Sequence, residues 1–365
     1  MQRRNSGILI INKPVGLTSH DCVGMVRKAY NIKKVGHAGT LDPIASGVMV
    51  VFAGNATRII EYYGEDYKEY ECEFKLGFST DTYDITGNIM NPPAECEDLF
   101  NCAGSDDIFE KLPVRTNPKS EYKDFKDYVH GKVKDGKARY CIGAYSKIIT
   151  EKVLSDISKR EVEAVLLSMQ GLQMQEPPVF SALKLNGKKL YEYAREGKQV
   201  KPRLREVDIR NIELLEFDEA LQAGKFKALV SKGTYIRSIC NDLGKALGSG
   251  ACMTALVRTR SGVFDQGSAV NVADLAEPPE LKQWDAGLSD FGRISLPLDR
   301  AAGFKNGLEF KITEKEIGKS SKNAGKFRAH YIVEGKEGEE LLGVAKLTAD
   351  NFIKHRKVVC SSDRV

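Results

Sequence analysis

Gly36-His37-Ala38-Gly39-Thr40-Leu41-Asp42-Pro43-Ile44-Ala45-Ser46-Gly47 is the stretch from which the rest of the chain is read. Three glycines and a proline within twelve residues cannot continue a helix, so a loop is predicted here. Pro43 pushes Asp42 toward an extended backbone and restricts the directions its carboxylate can take. The apolar, β-branched run Val48-Met49-Val50-Val51-Phe52-Ala53 follows at once and reads as a buried strand. A carboxylate on a tight loop at the mouth of a buried strand suits a catalytic group on a rigid scaffold. Loop chemistry alone favours the plainer reading, an Asp-Pro turn that precedes a strand.

On the N-terminal side, Gly7 to Lys13 reads as a short buried strand stopped by Pro14. Thr18-Ser19-His20-Asp21 then starts a helix with Val23, Val26 and Tyr30 on one face. On the C-terminal side, Asn55 to Tyr62 reads as a short helix. Tyr67 to Phe78 alternates as a strand should, with Tyr70, Cys72, Phe74 and Leu76 sharing one face. Residues 95–147 mix acidic, basic and small residues with few periodic apolar positions, which marks an insertion.

Ser158 to Glu161 forms a capping box, and Val162, Val165, Leu166 and Met169 follow at helical spacing until Gly171. Strands are predicted over Val179–Leu185, Glu206–Glu216, Lys225–Ser231 and Thr254–Phe264, with a short helix at Lys188–Glu196. Ile236, Ile239, Cys240, Leu243 and Leu247 share a helix face closed by Gly248. A helical piece after Asn271 leads to Pro278-Pro279, a candidate boundary, and the glycine-rich remainder reads as a small β-rich module. Hairpin-like strands interleaved with helices argue for a mixed class rather than a strict βαβ array.

At 365 residues the chain can bury a large core in two or three domains. Hydrophobic content of 42% and charge of 29% describe a globular protein, and no apolar run approaches the ~20 residues of a membrane span. Ile8 to Ile11 is too short for a signal-peptide core, so a cytoplasmic location is expected. The eight cysteines form no C-x-x-C pair and read as reduced, buried thiols. The five histidines are scattered without a ligand spacing, so no metal site is expected. Net charge is +5, but eight basic residues fall between Lys184 and Arg205, and five between Lys315 and Arg328. One such run alone reads as a solvated face; two of them point to a polyanionic partner. No G-x-G-x-x-G, Walker A or G-x-S-x-G motif occurs, which removes the usual nucleotide-cofactor and serine-hydrolase signatures.

Arg237, in Lys232-Gly233-Thr234-Tyr235-Ile236-Arg237, falls in the first turn of a predicted helix, where the dipole should repel it. A local rule broken without local gain marks a candidate site. A carboxylate partner would remedy it, with Asp42 as the natural choice, held ionised and aimed bidentately; a guanidinium turned to solvent is the plainer alternative.

Gly36 to Pro43 resembles the catalytic loop of the TruB family of tRNA pseudouridine synthases. Four further blocks match that family in the same order: Ile11 to Gly16, Lys68-Glu69-Tyr70 with Leu76 to Asp84, Pro177 to Lys184, and Ser231 to Arg237. The resemblance spans residues 7 to 265. It implies an α+β fold of the pseudouridine-synthase type, a mixed, mainly antiparallel sheet flanked by helices with a small β-rich C-terminal module. It divides the chain into a catalytic domain of residues 1–94 and 148–270, the 95–147 insertion, and residues 271–365 as a candidate PUA-like RNA-binding module. The family usually crosses the insertion by a much shorter route.

The implied reaction turns uridine into pseudouridine in the T-loop of tRNA, at position 55 in tRNA numbering. The uracil leaves its N1–ribose bond, turns, and rejoins the sugar through C5. Nothing is oxidised and no group is lost, so no redox cofactor or metal is required. The resemblance makes Asp42 the nucleophile or base, Arg237 its ion partner and Tyr70 the ring that stacks on the flipped uracil. His37 would help to hold the base out of the loop. Asp21, Lys184, Tyr235, Leu256 and Arg258 are weaker candidates for substrate contact, with Leu256 packing in the pocket and Arg258 meeting phosphate. The basic run from Lys184 to Arg205 would face the phosphates flanking the target loop. A monomer without a protein partner is implied. Two other readings compete: an RNA-binding or chaperone protein without turnover, and a guide-dependent synthase for another RNA. The presence of Asp42, Tyr70 and Arg237 together argues against the first, and the absence of low-complexity tails against the second.

Overall fold

Short β-branched and aromatic runs, separated by glycine and proline, make this an α+β protein built on a large, mainly antiparallel sheet. The structure is a computed structural model. It describes residues 5–63, 67–90, 157–198, 200–288, 291–313, 315–317, 330–335, 341–348 and 350–359. The expected insertion at 95–147 and most of the basic run from Lys315 to Arg328 lie outside the described residues.

The first elements are β1 (Gly7–Lys13), α1 (Ser19–Tyr30), β2 (Val35–Ala38), β3 (Ala45–Ala53), α2 (Ile60–Tyr63), β4 (Lys68–Leu76), β5 (Ser79–Thr80) and β6 (Ile89–Met90). Then come α3 (Lys159–Ser168), β7 (Gly171–Gln175), β8 (Lys184–Leu185), β9 (Lys188–Lys189), α4 (Leu190–Arg195), β10 (Arg205–Asp218), β11 (Ala223–Val230) and α5 (Ile236–Leu247). The chain continues through β12 (Ala251–Ser261), β13 (Phe264–Asp265), β14 (Val270–Asn271), β15 (Gly292–Leu296), α6 (Leu298–Lys305), β16 (His330–Gly335), β17 (Leu341–Leu347) and β18 (Ile353–Val358). They fall into two compact units, one of Met1–Pro43, Gly47–Asp66 and Arg260–Val365, the other of Ile44–Ser46 and Tyr67–Thr259.

In the first unit β1 runs antiparallel to β3, from Gly7↔Ala53 to Lys13↔Gly47, and parallel to β14 at Ile11↔Val270. β2 lies antiparallel to β3, from Val35↔Ala53 to Ala38↔Val50. Covered in this way, β3 is buried from Gly47 to Ala53, which is why it reads as a continuous apolar run instead of an alternating one. Ile8, Ile10, Val48, Val50 and Phe52 pack with Tyr62, Tyr63, Phe264, Trp284 and Phe291. Residues beyond Pro278-Pro279 are tied to this core: Ile8 and Lys282 exchange backbone hydrogen bonds of 2.9 and 2.8 Å. β15 pairs parallel with β16, and β16, β17 and β18 pair antiparallel, which completes the small C-terminal sheet. Ile294, Leu296, Phe304, Ile312, Val333, Leu342 and Ile353 give it a core of its own, while Ile332 and Val344 join the N-terminal core.

In the second unit β12, β4, β11, β10 and β7 are neighbours in that order. β4 pairs antiparallel with β11, from Lys68↔Val230 to Lys75↔Ala223, and the expected face of Tyr70, Cys72, Phe74 and Leu76 is buried. α3 packs on β10 and against α5.

Four local expectations are corrected. The stretch 36–47 is not all loop, because Gly36 to Ala38 pair in β2 and Ala45 to Gly47 already belong to β3; the cross-strand bonds outweigh glycine's weak strand propensity. Gly171 opens β7 at φ 106°, and α3 ends at Ser168 with Met169 as its C-cap. No strand covers 179–183; only Lys184–Leu185 pairs, in a short hairpin with Lys188–Lys189. The strand expected at Thr254–Phe264 begins at Ala251 and turns at Gly262, φ 59°, so that Phe264 pairs back with Ser261.

Candidate active site

The first unit holds Asp42, His37 and Asp21. Asp42 is half-buried in the loop between β2 and β3, and the α1 N-terminus supports that loop. Thr18 caps α1, accepting the Asp21 N–H at 3.1 Å, while Asp21 Oδ2 accepts the Thr18 N–H at 3.0 Å. This reciprocal capping box engages the Asp21 carboxylate that the sequence placed among candidate RNA contacts. Ser19 Oγ accepts the Leu41 N–H at 2.8 Å and donates to the Leu41 carbonyl at 3.0 Å. The Gly16 N–H donates to the Pro43 carbonyl at 2.8 Å. Lys13, fully buried, donates from Nζ to the carbonyls of Pro14 and Leu17 at 2.8 and 2.7 Å. Asp42 therefore stands between two backbone neighbours that are both anchored to residues 16–19. His37 lies half-buried on β2, opposite Val51.

The second unit holds Tyr70, Arg237, Tyr235, Lys184, Leu256 and Arg258. Tyr70 is buried on β4 opposite Ala228. Arg237 sits in the first turn of α5 and is 5% exposed, so it does not turn to solvent. Its Nη1 donates to the Thr82 carbonyl at 3.0 Å, its Nη2 to the Phe180 carbonyl at 3.2 Å, and Nη1 lies 3.6 Å from Asp84 Oδ2. Two carbonyls and a carboxylate offset the unfavourable helix end.

Asp84 is the residue that sequence reasoning missed as a partner for Arg237. Its own carboxylate is held by Thr82 Oγ1 at 2.9 Å, the Thr86 N–H at 2.9 Å and Thr86 Oγ1 at 2.5 Å. The signal was present in Thr80-Asp81-Thr82-Tyr83-Asp84: Tyr83 takes φ 64°, and a Cβ on Gly87 would lie 2.3 Å from Thr82 Oγ1, so only glycine closes this turn.

Gln175 was also missed. It is 4% exposed, its Oε1 accepts the Tyr235 N–H at 2.8 Å, and its Nε2 donates to the Tyr235 carbonyl at 3.1 Å. Together with Ser238 Oγ donating to the Glu176 carbonyl at 2.7 Å, it ties the α5 N-terminus to the end of β7. Leu256 is buried. Arg258 is 0% exposed, its guanidinium enclosed by the protein. Lys184 is exposed on the β8–β9 hairpin.

The basic run 184–205 carries aromatic rings among its cations. Lys188 Nζ lies 4.9 Å from the Tyr193 ring centre, and Arg195 5.2 Å from that of Tyr191. Glu196, hydrogen-bonded first by Lys188 and then by Lys198, is held below the usual carboxylate range. Lys198, Lys201 and Arg203 are exposed.

Cys22, Cys72, Cys240 and Cys252 are free and buried, as read from the sequence; the other four cysteines lie outside the described residues. Burial pushes the Cys22 thiol up to about 11 and the Cys72 thiol, with Cys240 Sγ 3.4 Å away, well above its ordinary value. Among the described residues no group of three or more His, Cys, Asp or Glu could hold a metal ion, and no helix is long and apolar enough to cross a membrane.

Comparison with known proteins bears directly on these residues. The model of the TruB family pseudouridylate synthase N-terminal domain matches residues 27–111 and 122–236. That of the tRNA pseudouridylate synthase B C-terminal domain matches residues 237–301. Within the 95–147 segment only residues 112–121 fall outside the match. The chain is 31% identical over 351 residues to a tRNA pseudouridine synthase B of Clostridium tetani, covering 95% of this chain and 97% of that protein. It is 35% identical over 299 residues to a tRNA pseudouridine synthase B of Bacillus pumilus, covering 81% and 76%. Among solved structures, a Cbf5–Nop10–Gar1 complex contains a chain of the same fold, at TM-score 0.60 and 21% identity, covering 98% of this chain and 84% of that one. An archaeal box H/ACA Nop10–Cbf5 complex aligns at TM-score 0.61 and 20% identity, covering 98% and 88%. With a family model matching more than half of its residues and a relative aligned over nearly its whole length, the chain belongs to the TruB family of pseudouridylate synthases.

Proposed function

We propose that this chain isomerises uridine to pseudouridine in the T-loop of tRNA, at position 55 in tRNA numbering, acting as a monomer in the cytoplasm. The observation that carries the reading is the family match, which includes Asp42, Tyr70 and Tyr235 in the N-terminal model and begins the C-terminal one at Arg237.

Asp42 supplies the ionised carboxylate, as nucleophile or base, on a uracil flipped out of the loop. The N1–ribose bond breaks, the base turns, and a C5–ribose bond forms; the proton leaves C5 and one is regained at N1, so atoms and electrons balance within the substrate. Tyr70 stacks on the uracil, and Arg237 serves the carboxylate as ion partner. His37 keeps the base extruded. The exposed cations of residues 184–205 bind the flanking phosphates, and their aromatic neighbours offer stacking surface.

Incubating a T-loop transcript with the protein and mapping pseudouridine tests the reading. One pseudouridine, at position 55, is expected from the parent and none from Asp42→Asn. Binding without product by the parent would support a chaperone instead.

A further inference from the structure

We infer that Ser19 is a positioning residue for the Asp42 carboxylate, an inference that rests on reading Asp42 as the reacting group. Ser19 is the first residue of α1 and is 2% exposed. Its one hydroxyl closes both polar groups of the Leu41 backbone, accepting the N–H at 2.8 Å and donating to the carbonyl at 3.0 Å. Leu41 is 3% exposed, so water is not at hand to replace either bond. On the far side of Asp42, the Pro43 carbonyl accepts the Gly16 N–H at 2.8 Å, and the proline ring fixes its own φ. Asp42 is the single residue between two fastened neighbours.

Both fasteners belong to the segment 16–19. The buried Lys13 ammonium holds that segment through the Pro14 and Leu17 carbonyls, and the Thr18–Asp21 capping box fixes it to α1. An alanine at position 19 leaves the Leu41 N–H and carbonyl buried and unmet. The loop then shifts until they find partners, and it carries Asp42 with it. Displacement of a reacting group by on the order of 1 Å can cost about a hundredfold in rate. Ser19 bonds to Leu41 and not to the reacting atoms, so its removal should lower turnover and spare RNA affinity.

The test uses the full chain with Ser19→Ala, Ser19→Thr, Gly16→Ala and, beside them, Asp42→Asn. Gly16 has φ +94°, and a Cβ placed there would have no atom within 4 Å, so its substitution strains the second fastener without a clash. Four quantities are read: single-turnover pseudouridine formation with enzyme in excess, affinity for a T-loop transcript, melting temperature, and hydrogen exchange of amides 39–44. Ser19→Ala should bind RNA within about twofold of the parent yet turn over roughly tenfold to a hundredfold more slowly, with selectively faster exchange at Leu41. Ser19→Thr, which keeps the hydroxyl, should recover part of the rate, and Gly16→Ala should slow turnover in the same sense.

Turnover by Ser19→Ala within about twofold of the parent, despite freed exchange at Leu41, overturns the inference. A loss shared equally by affinity and rate also overturns it, since that marks a merely structural residue. If Ser19→Ala does not stay folded, Gly16→Ala decides, and unchanged turnover there overturns the inference. Activity in Asp42→Asn removes the reading of Asp42 and the inference with it; an inert Asp42→Asn beside a normal Ser19→Ala removes the inference alone.

Discussion

Replacing Asp84 by asparagine deletes one charge and almost no volume where neither ionic partner reaches water. Arg237 Nη1 lies 3.6 Å from Asp84 Oδ2, and the two side chains are 6% and 5% exposed. At an effective dielectric near 20 such a pair attracts by about 5 kcal/mol before desolvation is counted. Removing one member of a buried pair costs about 3–5 kcal/mol, because the charge left behind keeps its desolvation penalty. Asparagine retains Oδ1, the atom that Thr82 and Thr86 hold, and Arg237 retains the Thr82 and Phe180 carbonyls. The low end of that range, about 3 kcal/mol, is therefore expected. Arg237→Met should cost less than that, since Asp84 still has its threonine donors. The double variant should lose less than the sum of the singles, because each single already removes the Arg237–Asp84 contact.

Urea unfolding followed by circular dichroism measures the loss. Hydrogen exchange in residues 79–90 and 231–247 reports the same unit locally, free of the other unit's transition. If Asp84→Asn lay within about 0.5 kcal/mol of the parent, or the double variant were additive, the claim that Asp84 neutralises Arg237 at the head of α5 would fail.

Arg237→Lys keeps the charge but not the planar fork that reaches two carbonyls and a carboxylate, so single-turnover rate should fall far more than tRNA affinity; near-normal turnover would refute this. Changing Lys198, Lys201 and Arg203 together to alanine should weaken RNA binding and flatten log affinity against log salt by about 0.7 to 0.9 for each phosphate no longer neutralised. An unchanged slope would return that cluster to a solvated face. The Cys22 thiol, raised from 9.0 to about 11 by burial, holds its proton more tightly in the folded state. Its contribution is therefore complete below about pH 9 and is lost as pH rises to about 11, roughly 3 kcal/mol in all. Melting temperatures between those limits should fall less steeply for Cys22→Ala; parallel curves would contradict the assignment. Gln175→Leu removes both bonds to Tyr235 and should speed exchange at the α5 N-terminus while leaving β7 protected; equal loosening of both would count against a local clamp.

Features carried by a few neighbouring residues were legible directly. The capping boxes Thr18–Asp21 and Ser158–Glu161 start α1 and α3 as read, because each closes within four residues and needs no tertiary partner. The alternation of Tyr70, Cys72, Phe74 and Leu76 told which side of β4 is buried, since strand geometry alone sets that period. The family blocks were legible for the same reason: Gly36 to Pro43 and Ser231 to Arg237 are local patterns.

What those blocks connect to was not legible. The predicted strand at 179–185 is an apolar run whose backbone instead answers distant groups, Phe180 giving its carbonyl to Arg237 and Ser181 its carbonyl to the Tyr191 N–H. β7 went unseen because Gly171-Leu172-Gln173-Met174-Gln175 carries little strand propensity and is held as a strand by pairing with β10. Gly36 and Gly47 look like loop residues until β3 pairs with them or contains them. Arg237 announced by its helix position that it needed a partner, and the fold brings Asp84, Thr82 and Phe180 to it from segments remote in the chain. Propensity and capping act over one turn or one strand and can be read from the order of residues. A hydrogen bond between distant segments exists only once the chain has closed the loop between them, so tertiary structure alone decided that Asp84 faces Arg237 and that the Ser19 hydroxyl holds Leu41.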